Sequence, residues 1–250
     1  MMPINKQNLM QILQRMKIEY ETAIKNGTYT NLIRSKRLIN ILHEFVISEL
    51  SSLINEDWII TDKKVYGFPK KKEQDIVVQP PQDKERDITV GPVLAINIRS
   101  QLSSIEKNYD TLFERVFAEA LNLHNRFPYM VLGYLYLLPL IGYDAEAAKD
   151  RQVQLKERYD IEKYILSFLS ISDRQHPTDA PWKYERVCLL ITDFSHDPPE
   201  IIEDMNQFVE KGLVNERFAD MYGFDELNIQ NFLDELYKFM MERYYLLIKG

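Results

Sequence analysis

Asp75 heads the run DIVVQPP, and the apolar run Val93 to Arg99 carries two polar side chains, Asn97 and Arg99. Side chains two apart on a strand share a face, so Asn97 and Arg99 point together, with Ala95 and Gln101 beside them. These residue types can bind a metal ion or an anion. A carboxylate such as Asp75 is the kind of oxygen ligand that Mg²⁺ takes while keeping several waters. A cation held there polarises a phosphoryl oxygen and lowers the pKa of an attacking water. Arg99 can grip a phosphate with paired hydrogen bonds and stabilise developing charge. Asn97 offers a metal a carbonyl oxygen without negative charge, and Arg99, always protonated, is no general base. A buried amide needs partners, so Asn97 either serves such a site or satisfies a neighbouring loop.

The surrounding pattern supplies the elements that must position these groups. Residues 5–25 read as a helix, with Leu9, Ile12, Leu13 and Met16 on one face, stopped by Asn26-Gly27. A second helix runs from about Leu32 to Ile54 and carries Glu44 and Glu49 on its polar side. The period then changes to two. Trp58–Thr61 and Lys64–Gly67 read as a hairpin turning at Asp62-Lys63, followed by a strand from Asp75 to Gln79, a charged loop at 82–87 and a buried strand over 93–99. Ser103-Ser104-Ile105-Glu106 has the form of a capping box, opening a helix to about His124 whose stripe includes Val116, Ala120 and Leu121. Tyr129–Leu138 is a long buried strand. Residues 145–171 are helical in pattern, Tyr184–Thr192 reads as a strand, and helices near 199–212 and 225–247 close the chain.

Composition bounds the class. Hydrophobic residues make up 45% and charged residues 28% of the 250, a mixture that packs a core and excludes general disorder. A single cysteine, Cys188, leaves no internal disulfide and no Cys-based zinc site, in keeping with a reducing, cytoplasmic setting. The N-terminal run MMPINKQNLM lacks a signal-peptide core. The most apolar stretch, Tyr129–Tyr143, falls short of the about 20 apolar residues that span a bilayer. A net charge of −7 argues against nonspecific nucleic-acid binding over the whole surface. It leaves room for a local basic cleft, because Lys63, Lys64, Lys70, Lys71 and Lys72 crowd together. Asp193, His196 and Asp197, ahead of Pro198-Pro199, share only the composition of a metal cluster and read as a turn; His43, His124 and His176 have no ligand-like spacing.

The order helix, hairpin, strand, strand, helix, strand between residues 32 and 139 resembles the common core of the PD-(D/E)xK nuclease superfamily, most of all type II restriction endonucleases. In that pattern an Asp begins one strand and a (D/E)-x-K triplet lies on the next. Asp75 takes the first place, and Asn97 and Arg99 fall where the family has its acid and its Lys, giving an N-x-R triplet. INIRSQLSSIEKN, from strand to helix, also resembles the junction of some restriction enzymes.

The resemblance implies an α/β fold, a restriction-endonuclease-like mixed β-sheet flanked by helices, with a helix-rich C-terminal part. The chain would be one domain over 1–250: a core at about 32–140, a helical N-terminal extension 1–31, and a dimerisation or recognition part 141–250. It implies a Mg²⁺-dependent endodeoxyribonuclease that cuts duplex DNA at a specific sequence as a homodimer. Asp75, Asn97, Arg99, Glu49 and Gln101 would form the catalytic group, with Asp75, Asn97 and Glu49 on the metal, and Asp87 and Glu73 as lesser substitutes for Glu49. Lys70, Lys71 and Lys72 would contact DNA phosphates; Ser103, Ser104, Lys107 and Asn108 would hold a phosphate at a helix N-terminus or simply cap that helix. Two other readings stay open: a non-catalytic protein of the same fold that binds DNA or a protein, favoured by N-x-R, and an α-rich interaction module, permitted by the acidity.

Overall fold

A computed structural model describes residues 4–81 and 91–248; the charged loop 82–87, Asp87 included, lies outside them. Helix α1 (Lys6–Lys25) is capped by the Asn5 side chain, which accepts from the Asn8 N–H. It ends at Gly27, whose φ of 70° suits a residue without a β-carbon. The long helix expected over 32–54 is two: α2 (Tyr29–Arg34) and α3 (Arg37–Ser51), separated by an extended Ser35.

The expected hairpin at Asp62-Lys63 does not form. β1 (Ile59–Tyr66) runs straight through those residues and pairs antiparallel with β2 (Lys71–Val78). The turn lies instead at Gly67–Lys70, held by a residue far along the chain. Asn122 exchanges side-chain hydrogen bonds with the Lys70 N–H and C=O (3.0 and 2.9 Å), and its own carbonyl accepts from the Phe68 N–H (2.7 Å). Asp75 therefore sits inside a strand, not at its start.

β3 (Leu94–Ser100) follows, then α4 (Ile105–His124), β4 (Val131–Pro139), β5 (Gly142–Tyr143), α5 (Ala145–Lys149), β6 (Leu155–Glu157) and α6 (Ile161–Ile171). The helix expected across 145–171 is thus interrupted by a strand, its two pieces started by N-cap side chains of Asp144 and Asp160. β7 (Arg186–Asp193), β8 (Glu200–Ile202), α7 (Met205–Glu210), α8 (Glu216–Met221) and α9 (Ile229–Ile248) complete the order. β8 and α7 replace the single helix expected near 199–212.

The fold is mixed α/β, around a six-stranded sheet of order β1-β2-β3-β4-β7-β8. β3, β4 and β7 are parallel; the flanking pairs are antiparallel. Every residue of β4 and β7 is buried, as continuous apolar runs require when helices cover both faces. One face packs on α1, α3 and α9, the other on α4, α6, α7 and α8. Two of the six strands, β7 and β8, come from beyond residue 140. No helix among the described residues is long and apolar enough to cross a membrane.

α9 lies so close on β4 that a β-carbon built on Gly133 would fall 2.5 Å from Leu236 Cδ1 and 3.1 Å from Phe232 Cζ. Overpacking of this kind typically costs about 1–3 kcal/mol. Gly133→Ala is expected to lower unfolding free energy by about that amount in urea titration, with an unchanged denaturant slope.

Candidate functional site

The site begins where a ladder stops. β2 and β3 pair at Val78–Leu94, Val77–Ala95 and Ile76–Ile96. At the next position side chains take over the hydrogen bonding. The Asp75 carboxylate accepts from the Ile98 N–H (2.8 Å), while the Asp75 N–H donates to Asn97 Oδ1 (3.1 Å). Across β1, the residue opposite Asp75 is Asp62, at φ 50°, a left-handed conformation that Asp tolerates better than most residues. The pleat changes phase here. Gln74 reaches Glu119 of α4 on one face, whereas Ile76 and Val78, which regular alternation would place beside it, lie in the core of the other.

Arg99 closes the arrangement. Its Nη1 donates to Asp75 Oδ2 and to the Ile98 carbonyl, both at 2.7 Å. The Asp75 side chain is 5% exposed and that of Arg99 37%, so the Arg99 side chain is partly open to solvent. Burial opposes the Arg99 charge, but Asp75, Tyr134 and Glu119 outweigh it and raise its pKa. From Asp75 a relay of amides leads to α4: Asn97 Nδ2 donates to Gln74 Oε1 (2.7 Å), and Gln74 Nε2 to Glu119 Oε1 (2.9 Å). Burial raises the Glu119 pKa, against the opposing pull of Gln74, Arg99 and Lys72. On the other side lies His43 of α3. It is buried, its Nε2 has no hydrogen-bond partner, and burial lowers its pKa despite Asp75 and Asp62 nearby.

Of the residues expected from the sequence, Asp75, Asn97 and Arg99 are brought together, with Lys72 near enough to influence Glu119. The others lie apart. Glu49 accepts from the Asn5 N–H (3.2 Å); it stands six residues beyond His43, about 9 Å along the helix axis. Asn97 has both amide atoms hydrogen-bonded, its Oδ1 to the Asp75 N–H and its Nδ2 to Gln74. Gln101 turns away to the carbonyls of Ser103 and Ser104 (3.0 Å each). Glu73 pairs with Lys36, which also holds Asp62. Lys70 and Lys71 lie exposed on the β1–β2 hairpin, Lys71 Nζ bonded to Tyr66 Oη (2.8 Å).

At the start of α4, Glu157 accepts from the Ile105 N–H (2.6 Å). The capping box is not made. The Ser103 hydroxyl is bonded to Tyr20 and Tyr29, and Ser104 caps no amide at φ 52°. The Asn108 side chain donates to the Ser104 carbonyl (2.9 Å), and Lys107 is exposed.

Glu119 is the group that sequence reasoning missed. Its position carried a mark: Val116, Ala120 and Leu123 are buried at helical spacing, and Glu119 falls on that same inward stripe. A carboxylate there needs a polar reason. Glu119 thus brings a second carboxylate to the region, joined to the Asp75 backbone through Gln74 and Asn97. No protein-family model, curated protein or solved structure matches the chain.

Two predictions test these placements through stability. Asp75→Ala leaves the Ile98 N–H and Arg99 without their acceptor, an expected loss of about 1–3 kcal/mol; Asp75→Asn retains an oxygen and is expected to lose less in the same urea titration. Glu119 has a raised pKa in the folded state, so folding binds its proton. Its favourable contribution is present below the ordinary carboxylate value and is lost as pH rises through the raised one. Glu119→Gln is expected to remove that downward step from a plot of unfolding free energy against pH.

Proposed function

We propose that the chain is a Mg²⁺-dependent endodeoxyribonuclease of the PD-(D/E)xK type, cutting duplex DNA in the manner of a restriction enzyme. The observation that carries this reading is the 2.7 Å contact of Arg99 with Asp75 at the carboxyl end of β3, beside a second carboxylate, Glu119. In open α/β sheets ligands bind at the carboxyl ends of the strands. Asp75 and Glu119 would hold the ion, which when bound supplies a Lewis acid and an acidified water.

The remaining work belongs to the chain. Arg99 offers its exposed edge to the scissile phosphate and stabilises charge developing there. Asn97 and Gln74 fix the spacing of the two carboxylates. Lys72, with Lys70 and Lys71 on the hairpin, holds the DNA backbone as point charges. Two strands need two sites, so the working form would be a two-fold dimer matching a palindromic sequence.

One observation favours a second reading, a non-catalytic DNA- or protein-binding relative. Asp75 Oδ2 already serves Ile98 and Arg99, as in a site given over to structure. Nicking of supercoiled plasmid with Mg²⁺ or Mn²⁺ separates the two. The nuclease reading expects wild-type cleavage that chelator abolishes, and losses of a hundredfold or more, about 3 kcal/mol, for Asp75→Asn, Glu119→Gln and Arg99→Ala. Arg99→Lys keeps the charge without the planar fork and should recover part of the loss. Unchanged cleavage by Arg99→Ala would remove Arg99 from the mechanism. A wild type that shifts duplex DNA in a salt-sensitive way without cutting it supports the second reading.

A further inference from the structure

The β7–β8 hairpin brings together three metal-ligating groups well away from Asp75. Asp193 and Glu200 are register partners, and like charges directly opposite on a ladder destabilise it unless a cation stands between them. The connecting loop returns His196 over the pair. The ligand atoms of Asp193, His196 and Glu200 all lie within 4.8 Å of one another. His196 Nε2 is 3.6 Å from Asp193 Oδ2 and 3.7 Å from Glu200 Oε2.

Those distances are long for hydrogen bonds but near the edge of a ligand tetrahedron, which for metal bonds of about 2.0–2.1 Å is about 3.3–3.4 Å. Asp193 is also aimed. Its Oδ1 accepts from the Ser195 N–H (2.9 Å) and hydroxyl (2.6 Å), which turns Oδ2 toward His196. Second-sphere bonds of this kind orient metal ligands. A cation already senses the place: Lys211 Nζ lies 3.3 Å from Glu200 Oε2 and 3.8 Å from Asp193 Oδ2.

We propose that Asp193, His196 and Glu200 form a divalent transition-metal site, for an ion of the Zn²⁺ class, with Lys211 as its competing cation in the metal-free protein. One imidazole and two carboxylates suit that class better than Mg²⁺, which prefers oxygen alone. Three protein ligands leave a fourth position open to water, the arrangement of catalytic rather than closed structural zinc. The site is separate from the first. Arg99 is level with Tyr136 and Leu189 across the sheet. Asp193 lies four residues further on and two strands over, about 13 Å along and about 10 Å across. In the sequence, Asp193, His196 and Asp197 share the composition of a metal cluster and read as a turn; Asp197 accepts from Gln14 Nε2 (2.7 Å), and Glu200, beyond two prolines, is the ligand that the hairpin supplies.

The test uses the full chain, stripped of metal and titrated with Zn²⁺ by calorimetry, and with Co²⁺ for the visible absorption of a tetrahedral ion. One Zn²⁺ per chain is expected. His196 is 56% exposed, so His196→Ala should leave the fold intact and weaken binding at least about tenfold. Lys211→Ala removes the competitor and should bind Zn²⁺ more tightly than wild type. Equal binding by wild type, His196→Ala and Lys211→Ala, or none by any of them, would overturn the proposal and leave an ion-pair network closed by Lys211. Neither result depends on whether the chain cleaves DNA.

Discussion

The fully buried carboxylate of Glu185 is the interaction on which the rest of the sheet hangs. It accepts from the Leu132 N–H (2.6 Å), Arg174 Nη1 (2.8 Å) and Arg243 Nη1 (2.6 Å), with His124 Nε2 at 3.4 Å. Arg174 continues to the carbonyls of Pro128 and Pro177. One charge therefore fastens the start of β7 to the start of β4, the end of α4, the loop after α6, and α9. Such a network need not be worth more than apolar packing of the same volume, but removing one partner strands a buried charge at about 3–5 kcal/mol. It fixes the amino ends of β4 and β7, and the polar groups of the two candidate sites lie toward the carboxyl ends of β3 and β7. The ion-pair network and the candidate sites thus lie at opposite strand ends of one sheet.

What the sequence made legible follows from periodicity. The apolar runs of β4 and β7 read as buried strands, and the stripe of α1 was as plain. The meeting of Asn97 and Arg99 was readable for the same reason, since alternation on a strand is a local rule. That Asp75 lies against them depended on strand order, which the resemblance of the element order to the nuclease core implied.

What stayed hidden depends on contacts distant in the chain. Asp62-Lys63 looks like a turn because both are polar, yet Asp62 absorbs its positive φ within a strand, and the true turn is chosen by Asn122. The Ser103–Glu106 capping pattern is overridden by two tyrosines from α1 and α2. The break at β6 escaped the helical pattern over 145–171, although Asp144 and Asp160 stood where N-caps belong. Glu119 lies on α4, and its tie to Gln74 of β2 exists only because the pleat changes phase at Asp75.

That phase change sets the character of the site. In a regular ladder the Ile98 N–H would be met by backbone, and Asp75 would be free. Here the carboxylate fills the gap, so it is both a strut and the anion that keeps Arg99 in place. Arg99 can hold Asp75 with one nitrogen and still present donors to solvent because the guanidinium is a planar fork; an ammonium, a point charge on a flexible stem, has no second edge to offer. With Asp75 paired to Arg99, Lys72 and Arg99 are the cations that the proposed reading sets to meet an anion. On the proposed nuclease reading, a chain of net charge −7 keeps one small region receptive to phosphate in this way.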